Sequence, residues 1–261
     1  MGGGVMAEAI IRGVLDREVA RAGDIVVSDP VPARREALAS GYKINATDDN
    51  VQAVMGADAV VLAVKPQVIT KVLPELRGKI APDQLILSIA AGVGVKRLRD
   101  GLEHDVLIRA MPNTPAQVGQ GITMWIATEK VSLEDRETGA SILRALGEEI
   151  FVEDEKYLDM ATALSGGGPA YVFFFIEALI DAGVHMGLSR DIAEKLVVET
   201  VLGSASLARQ SGTHPAILKN MVTSPGGTTA EALLVMEEAG LKGILTRAVL
   251  AAYSKAQSVG K

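Results

Sequence analysis

The chain opens Met1-Gly2-Gly3-Gly4-Val5-Met6-Ala7, and Gly2, Gly4 and Ala7 fit the spacing G-x-G-x-x-A. In a dinucleotide site the first glycine makes a tight turn and the second lets backbone approach a pyrophosphate. The third small residue lets a helix pack on a sheet. The helix that starts there offers free N–H groups and a positive dipole end to the anion. A second glycine turn, Thr223-Ser-Pro-Gly-Gly-Thr-Thr229, lies in the last quarter of the chain. There Ser224 supplies a hydroxyl, and Gly226 and Gly227 let backbone come close to a ligand. A helix starting at Thr228 aims its N–H groups at a small carboxylate. The competing reading of that turn is an ordinary cap, with Thr223 or Ser224 as N-cap and Pro225 inside the helix start.

Other chemistry-bearing residues fall at strand ends. Ala63-Val64-Lys65-Pro66 puts a cation and a rigid turn at the carboxyl edge of a sheet, where ligands of open α/β sheets bind. Ala90, in Ser88-Ile-Ala-Ala-Gly92, is small enough to admit a ligand. Asn113 follows the strand that ends in Arg109-Ala-Met-Pro. Ser28 sits at the tip of Val26-Val27-Ser28, with Asp29 next and Arg34-Arg35 in the helix that follows. At that corner an acidic residue favours a ribose 2′-hydroxyl and an arginine favours a 2′-phosphate. Arg34 tips the expectation to NADPH, with NADH as the alternative.

Much other chemistry is excluded. There is no cysteine, so disulfides, iron–sulfur clusters and thiol catalysis are absent. His104, His185 and His214 are scattered with no i, i+4 pairing, so neither a metal site nor a histidine base is expected. The 26 basic and 32 acidic residues give a net charge of −6, which with 3% aromatic content argues against a nucleic-acid partner. The uncharged run Met160 to Ile176 is interrupted by Gly166-Gly167-Gly168-Pro169. It falls short of the roughly 20 apolar residues of a membrane-spanning helix. The N-terminus carries Glu8 and Arg12 and no basic leader, so a cytoplasmic protein is expected.

The elements that must position these residues follow from periodicity. Residues 1–153 alternate short apolar runs with helical stretches. The runs are Asp24–Ser28, Ala57–Val64, Gln84–Ala90 and Asp105–Arg109, closed by Gly121–Ala127 and Glu149–Val152. The helices between them are Val5–Ala20, Val31–Ser40, Asp49–Gly56, Gln67–Arg77, Val95–Leu102 and Leu133–Leu146. This grammar predicts an α/β Rossmann-type domain with a parallel sheet. Residues 154–261 read as an all-α domain. Its helices fall near Tyr157–Leu164, Pro169–Met186, Arg190–Gln210, Pro215–Met221, Thr228–Ala239 and Lys242–Ser258. Their apolar breadth predicts burial against a second subunit.

One strand is expected and missing. A glycine fingerprint follows a strand, yet only Met1 precedes Gly2. The two strands flanking the empty position would then lie about 9–10 Å apart, twice the usual spacing.

The turn Thr223–Thr229, the glycine loop, Val64-Lys65-Pro66-Gln67, Arg109–Ala116 and Ala163-Leu-Ser-Gly-Gly-Gly-Pro-Ala-Tyr171 occur in order through both halves. Together the chain resembles pyrroline-5-carboxylate reductase. The resemblance implies NADPH- or NADH-dependent reduction of Δ1-pyrroline-5-carboxylate to L-proline, the last step of proline biosynthesis. It also implies a homodimer interlocked through the helical half, with decamers built from dimers. By the same resemblance Ser224, Gly227 and Thr228 hold the substrate carboxylate, Gly226 shapes the turn, and Thr229 contacts the ring nitrogen as the catalytic hydroxyl. Gly2, Gly4, Val5, Met6, Ala7, Ser28, Arg34, Ala63, Val64, Lys65, Pro66, Ala90 and Asn113 line the cofactor, and Lys65 joins Thr229 as a catalytic candidate by tuning local charge. Val5 and Gly167 depart from the family pattern, which has Asn at the first and Ser or Cys at the second.

Two other functions compete. A β-hydroxyacid dehydrogenase would carry a lysine on the helix Pro169–Glu177, which has none. A dinucleotide-binding subunit without catalysis would have no use for Ser224 and Thr229.

Overall fold

Aliphatic runs covered on both faces become strands, and the amphipathic stretches between them become helices. The computed structural model describes residues 1–259. In chain order the first part runs α1 (Val5–Asp16), β1 (Val26–Ser28), α2 (Pro32–Tyr42), β2 (Asn45–Thr47), α3 (Asn50–Val54), β3 (Ala59–Leu62) and α4 (Pro66–Leu76). It continues β4 (Leu85–Ser88), α5 (Val95–Leu102), β5 (Leu107–Met111), β6 (Gly121–Ala127), α6 (Leu133–Arg144) and β7 (Gly147–Phe151). The rest is helical: α7 (Lys156–Ala161), a π-helical turn (Thr162–Gly166), α8 (Gly168–His185), α9 (Arg190–Ser211), α10 (Pro215–Met221), α11 (Thr228–Glu238) and α12 (Leu241–Val259).

The sheet is in two pieces. β1 and β2 form a parallel pair, and β3-β4-β5-β6-β7 form a five-stranded sheet. The break falls between β1 and β3, where the missing strand was expected. The second departure from a continuous parallel sheet is β5–β6, which is antiparallel. Only a 3-10 turn, Thr114–Val118, joins that pair, and it is too short for the crossover that parallel strands need. β2 has no apolar alternation to announce it and forms on the edge that β1 offers.

Two compact units divide the chain. One holds Met1–Gly167 and the end of α12 from Ala252 onward; the other is Gly168–Ala251. In the first unit Leu62, Ile69, Ile86, Leu98 and Leu107 pack one face of the sheet, and Leu87, Ile108, Trp125 and Leu143 pack the other. In the second unit α8 buries only Gly183 and α9 only Ala193. These two meet closely, since a Cβ on Gly183 would lie 2.9 Å from Ala193 Cβ. Phe173, Phe174 and Leu196 are exposed at 64%, 72% and 55%. The glycines expected to interrupt the Met160–Ile176 run fold instead into the π turn and the start of α8. The resulting stretch, Lys156–His185, is long and apolar enough by length and composition to cross a membrane.

Gly147 opens β7 and pairs with Gly121 at the start of the parallel strand β6. Its φ is +137°, and a Cβ there would lie 2.1 Å from Gly121 O, backbone that cannot yield. Gly147→Ala is expected to cost about 2 kcal/mol or more and to lower Tm by roughly 5 °C. A thermal melt superposable on the parent would contradict this placement.

Candidate active site

The first glycine turn is held by its neighbours on both sides. Gly2 has φ +80°, and a Cβ there would lie 3.0 Å from Val64 Cγ1 and 3.1 Å from Ala63 O. Gly3 is gripped at both ends: its N–H donates to Asp29 Oδ2 at 2.7 Å, and its carbonyl accepts from Arg34 Nε. A Cβ on Gly3 would meet Leu38 Cδ1 at 2.9 Å. Gly4 is the N-cap of α1 and no side chain caps the helix. A Cβ on Gly4 would meet nothing within 4 Å, so this face of the turn is open. The first helical bond is Glu8 N–H to Gly4 O, which leaves the N–H groups of Val5, Met6 and Ala7 without helical partners. Val5 is exposed, Met6 is half-buried, and Ala7 is buried. An uncapped helix start behind Gly4, whose open face no side chain crowds, fits a pyrophosphate.

The ribose corner differs from its sequence reading. Ser28 is buried, and its hydroxyl donates to Asn50 Oδ1 at 2.8 Å. The half-buried group at the tip is Asp29, whose second oxygen accepts from Val31 N–H at 2.9 Å. Arg34 also pairs with Glu8, and Arg35 donates to Asp29 O at 2.8 Å. The hydrogen bond from Arg34 is the main reason the Glu8 carboxyl lies below its ordinary pKa. Gly3 and Asp29 were not singled out by the fingerprint, because their roles come from a contact between residues 26 positions apart.

Across the turn, Ala63 N–H donates to Met1 O at 2.9 Å, and Val64 packs on the core. Lys65 is the N-cap residue of α4 and Pro66 its first residue. Lys65 is exposed and pairs with no carboxylate among the described residues. Ala90 is buried in the loop after β4. Asn113 is engaged at both ends of its amide: Nδ2 donates to Ser165 O at 3.2 Å, and Oδ1 accepts from Ile122 N–H at 3.0 Å. Behind this wall Arg109, 5% exposed, donates to Glu155 Oε1 at 2.6 Å, with Asp159 at 3.8 Å. The same Glu155 oxygen accepts from Val95 N–H, at the start of α5, at 2.8 Å.

The second glycine turn belongs to the helical unit. Gly227, not Thr223 or Ser224, is the N-cap of α11, and no side chain caps it. Thr223 Oγ1 instead donates backward to Lys219 O at 2.7 Å. Gly226 has φ +65°, and Gly227 N–H closes the turn on Ser224 O at 3.0 Å. Ser224, Thr228 and Thr229 are exposed at the mouth. The plain capping reading is therefore overturned, and the N–H groups at the start of α11 are free of side-chain caps.

A glycine turn feeding an uncapped helix at the carboxyl edge of a mainly parallel sheet, followed by a helical unit, defines a two-domain dinucleotide-dependent oxidoreductase. A family model described as pyrroline-5-carboxylate reductase dimerisation matches residues 155–259. One described as NADP oxidoreductase, coenzyme F420-dependent, matches residues 1–92. The pyrroline-5-carboxylate reductase of Synechocystis sp. is 43% identical, with 100% of this chain and 97% of that protein covered. That of Escherichia coli is 39% identical over the same shares. The structure of the Coxiella burnetii enzyme superposes with a TM-score of 0.93 at 36% identity, covering 100% of this chain and 97% of that one. The Plasmodium falciparum enzyme, solved with NADP bound, gives 0.90 at 32%, with the same coverage. The chain belongs to the pyrroline-5-carboxylate reductase family. Prephenate dehydrogenase of Aquifex aeolicus, at 13% identity and TM-score 0.55, shares the fold alone.

The turn also contains a titrating group. Met1's amine is buried and donates to Val61 O at 2.7 Å. Burial lowers its pKa from 8.0 to about 6, with Asp29 pulling the other way. Between pH 6 and pH 8 the unfolded chain therefore binds more protons than the folded one. Stability should rise with pH across that window, by up to about 2–3 kcal/mol. Thermal melts at the two ends of the window check it; a Tm that is flat or falls would contradict the burial of this amine.

Proposed function

We propose that this chain reduces Δ1-pyrroline-5-carboxylate to L-proline in the cytoplasm, taking its hydride from NADPH in preference to NADH. The observation that carries this reading is the uncapped start of α11 inside the Thr223–Thr229 turn. It offers backbone N–H groups and hydroxyls to a small carboxylate, in a chain that also holds an open glycine turn. Residues 1–153 serve the dinucleotide and residues 154–261 the substrate and subunit pairing, a division supported by the separate family models for 1–92 and 155–259.

Bound dinucleotide supplies a hydride, and the chain's own residues supply position. Gly2 and Gly4 let backbone approach the pyrophosphate, and the N–H groups of Val5, Met6 and Ala7 receive its charge. Val64 and Pro66 shape the wall beside them, and Lys65 brings to it a cation unpaired among the described residues. Ala63 and Ala90 leave room at the strand ends, and Asn113 braces the loop behind. Ser28 is the buried support of the ribose corner, where Asp29 and Arg34 meet. The Ser224 hydroxyl and the N–H groups of Gly227 and Thr228 hold the substrate carboxylate, with Gly226 making the bend. Thr229 Oγ1 accepts a hydrogen bond from the protonated imine nitrogen. That cation is already an electrophile, so orientation is the main requirement and no strong acid is needed. α8 contains no lysine, which removes the acid/base that a β-hydroxyacid dehydrogenase would use. A non-catalytic subunit would have no use for an uncapped α11.

Thr229→Ala is expected to lower kcat/KM by roughly 10- to 150-fold while the NADPH dissociation constant stays near the parent value. Steady-state kinetics beside fluorescence titration of NADPH separate the two; a loss under twofold would remove Thr229 from the imine.

The exposed faces of α8 and α9 belong, in this reading, to a homodimer that further associates to a decamer. Light scattering at micromolar concentration should report no monomer, and the protein should not float with lipid vesicles. A folded monomer, or co-flotation, would overturn that assignment.

A further inference from the structure

Arg34 lies inside a closed ring of hydrogen bonds. Its Nε donates to Gly3 O, and its Nη2 donates to Glu8 Oε2 at 2.5 Å. Glu8 returns to the same turn through its own N–H, which donates to Gly4 O at 3.0 Å. The ring runs from the Gly3 carbonyl through the guanidinium and the Glu8 side chain to the Gly4 carbonyl. A planar guanidinium held by two bonds on one edge has little freedom left. Its other edge is unspent, since Nη1 has no partner among the described residues.

Glu8 is itself held. Its other oxygen, Oε1, accepts from Tyr42 Oη at 3.0 Å. Tyr42 ends α2, and its ring packs on the buried cluster of Ile11, Val27, Leu38 and Ile44. Arg12 stands one turn further along α1 and adds its positive field, yet each Glu8 oxygen accepts from α2. The Arg34 and Glu8 side chains are 29% and 37% exposed. An ion pair that open to water adds little to stability, so the value of the contact lies in placement. The neighbouring groups of the ribose corner are already engaged. Asp29 gives one oxygen to Gly3 N–H and the other to Val31 N–H, and Ser28 donates to Asn50. Arg35 donates to Asp29 O and reaches Asp48 at 3.4 Å. Arg34 Nη1 is thus a guanidinium edge at this corner with both its donors to spare for a phosphate.

We propose that Glu8, steadied by Tyr42, is a positioning residue for cofactor choice: given the preference for NADPH proposed above, it holds Arg34 against the glycine turn with the free guanidinium edge ready for the 2′-phosphate. NADPH then meets a cation already in place and does not have to order a long side chain on binding. NADH carries a hydroxyl where the phosphate would be and gains nothing from that placement. Glu8 and Tyr42 touch no cofactor themselves; both act through Arg34.

Fluorescence titration of the full chain with NADPH and with NADH gives the two dissociation constants, neither of which depends on turnover. Glu8→Asp keeps the charge but is one methylene shorter, so it cannot keep both bonds. Tyr42→Phe leaves every charge in place and removes only the hydroxyl. Each should weaken NADPH by about 3- to 10-fold, with NADH unchanged. Arg34→Gln should remove the preference for NADPH, and adding Glu8→Asp to it should change nothing further. If Arg34→Gln leaves the preference intact, the 2′-phosphate is held elsewhere and the proposal falls with that assignment. If Arg34→Gln removes the preference but Glu8→Asp and Tyr42→Phe leave NADPH binding at the parent value, the preference stands and Glu8 has no part in it. Equal weakening of both cofactors, or a Glu8→Asp loss that persists beside Arg34→Gln, would give Glu8 a structural role alone and overturn the proposal.

Discussion

Three backbone hydrogen bonds made by Met1 and Gly2 join the two pieces of the sheet, and the glycine turn between them depends on these bonds. On one side of the break stand β1, Asp29 and the arginines of α2; on the other stand β3, Ala63, Val64 and Lys65. The glycine turn lies between and takes its shape from both. Gly2 leaves the last rung with a positive φ, Gly3 is caught by Asp29 and Arg34, and Gly4 starts α1. Moving either half-sheet would move the uncapped N–H groups at the start of α1. The order of this edge thus rests on few bonds, made by the buried Met1 and Ser28.

Strands buried on both faces were legible because their composition admits little else, and β6 and α5 begin and end where the periodicity places them. β2 was not legible: Asn45-Ala46-Thr47 has no apolar alternation, and its extended form comes from pairing with β1. The reversal at β5–β6 follows from a connection whose shortness shows only once both strands are drawn. At the site, spacing found Gly2, Gly4 and the start of α11, since these are local backbone requirements. It could not find the grip on Gly3, the burial of Ser28 or the double engagement of Asn113, which are set by residues distant in sequence. The cap at Thr223 or Ser224 was a sound local reading; the Thr223 hydroxyl turns back to Lys219 O instead.

The helical unit shows the opposite economy. Its long helices bury almost nothing within their own unit, so apolar area that would stabilise a monomer is left for association. Stability of such a unit is tied to protomer concentration, and dilution acts on it as a denaturant would.

The Arg109–Glu155 contact imposes a direction on change. One carboxylate oxygen serves the buried guanidinium and the first N–H of α5, so the effects of replacing these partners do not add. Losing Arg109 first leaves a carboxylate that is 37% exposed and still bonded to Val95 N–H. Losing Glu155 first strands a guanidinium that is 5% exposed, with only Asp159 at 3.8 Å to answer it. The route by which a lineage drifts away from this pair is therefore ordered: the arginine goes before the glutamate, and the reverse path passes through a damaged protein.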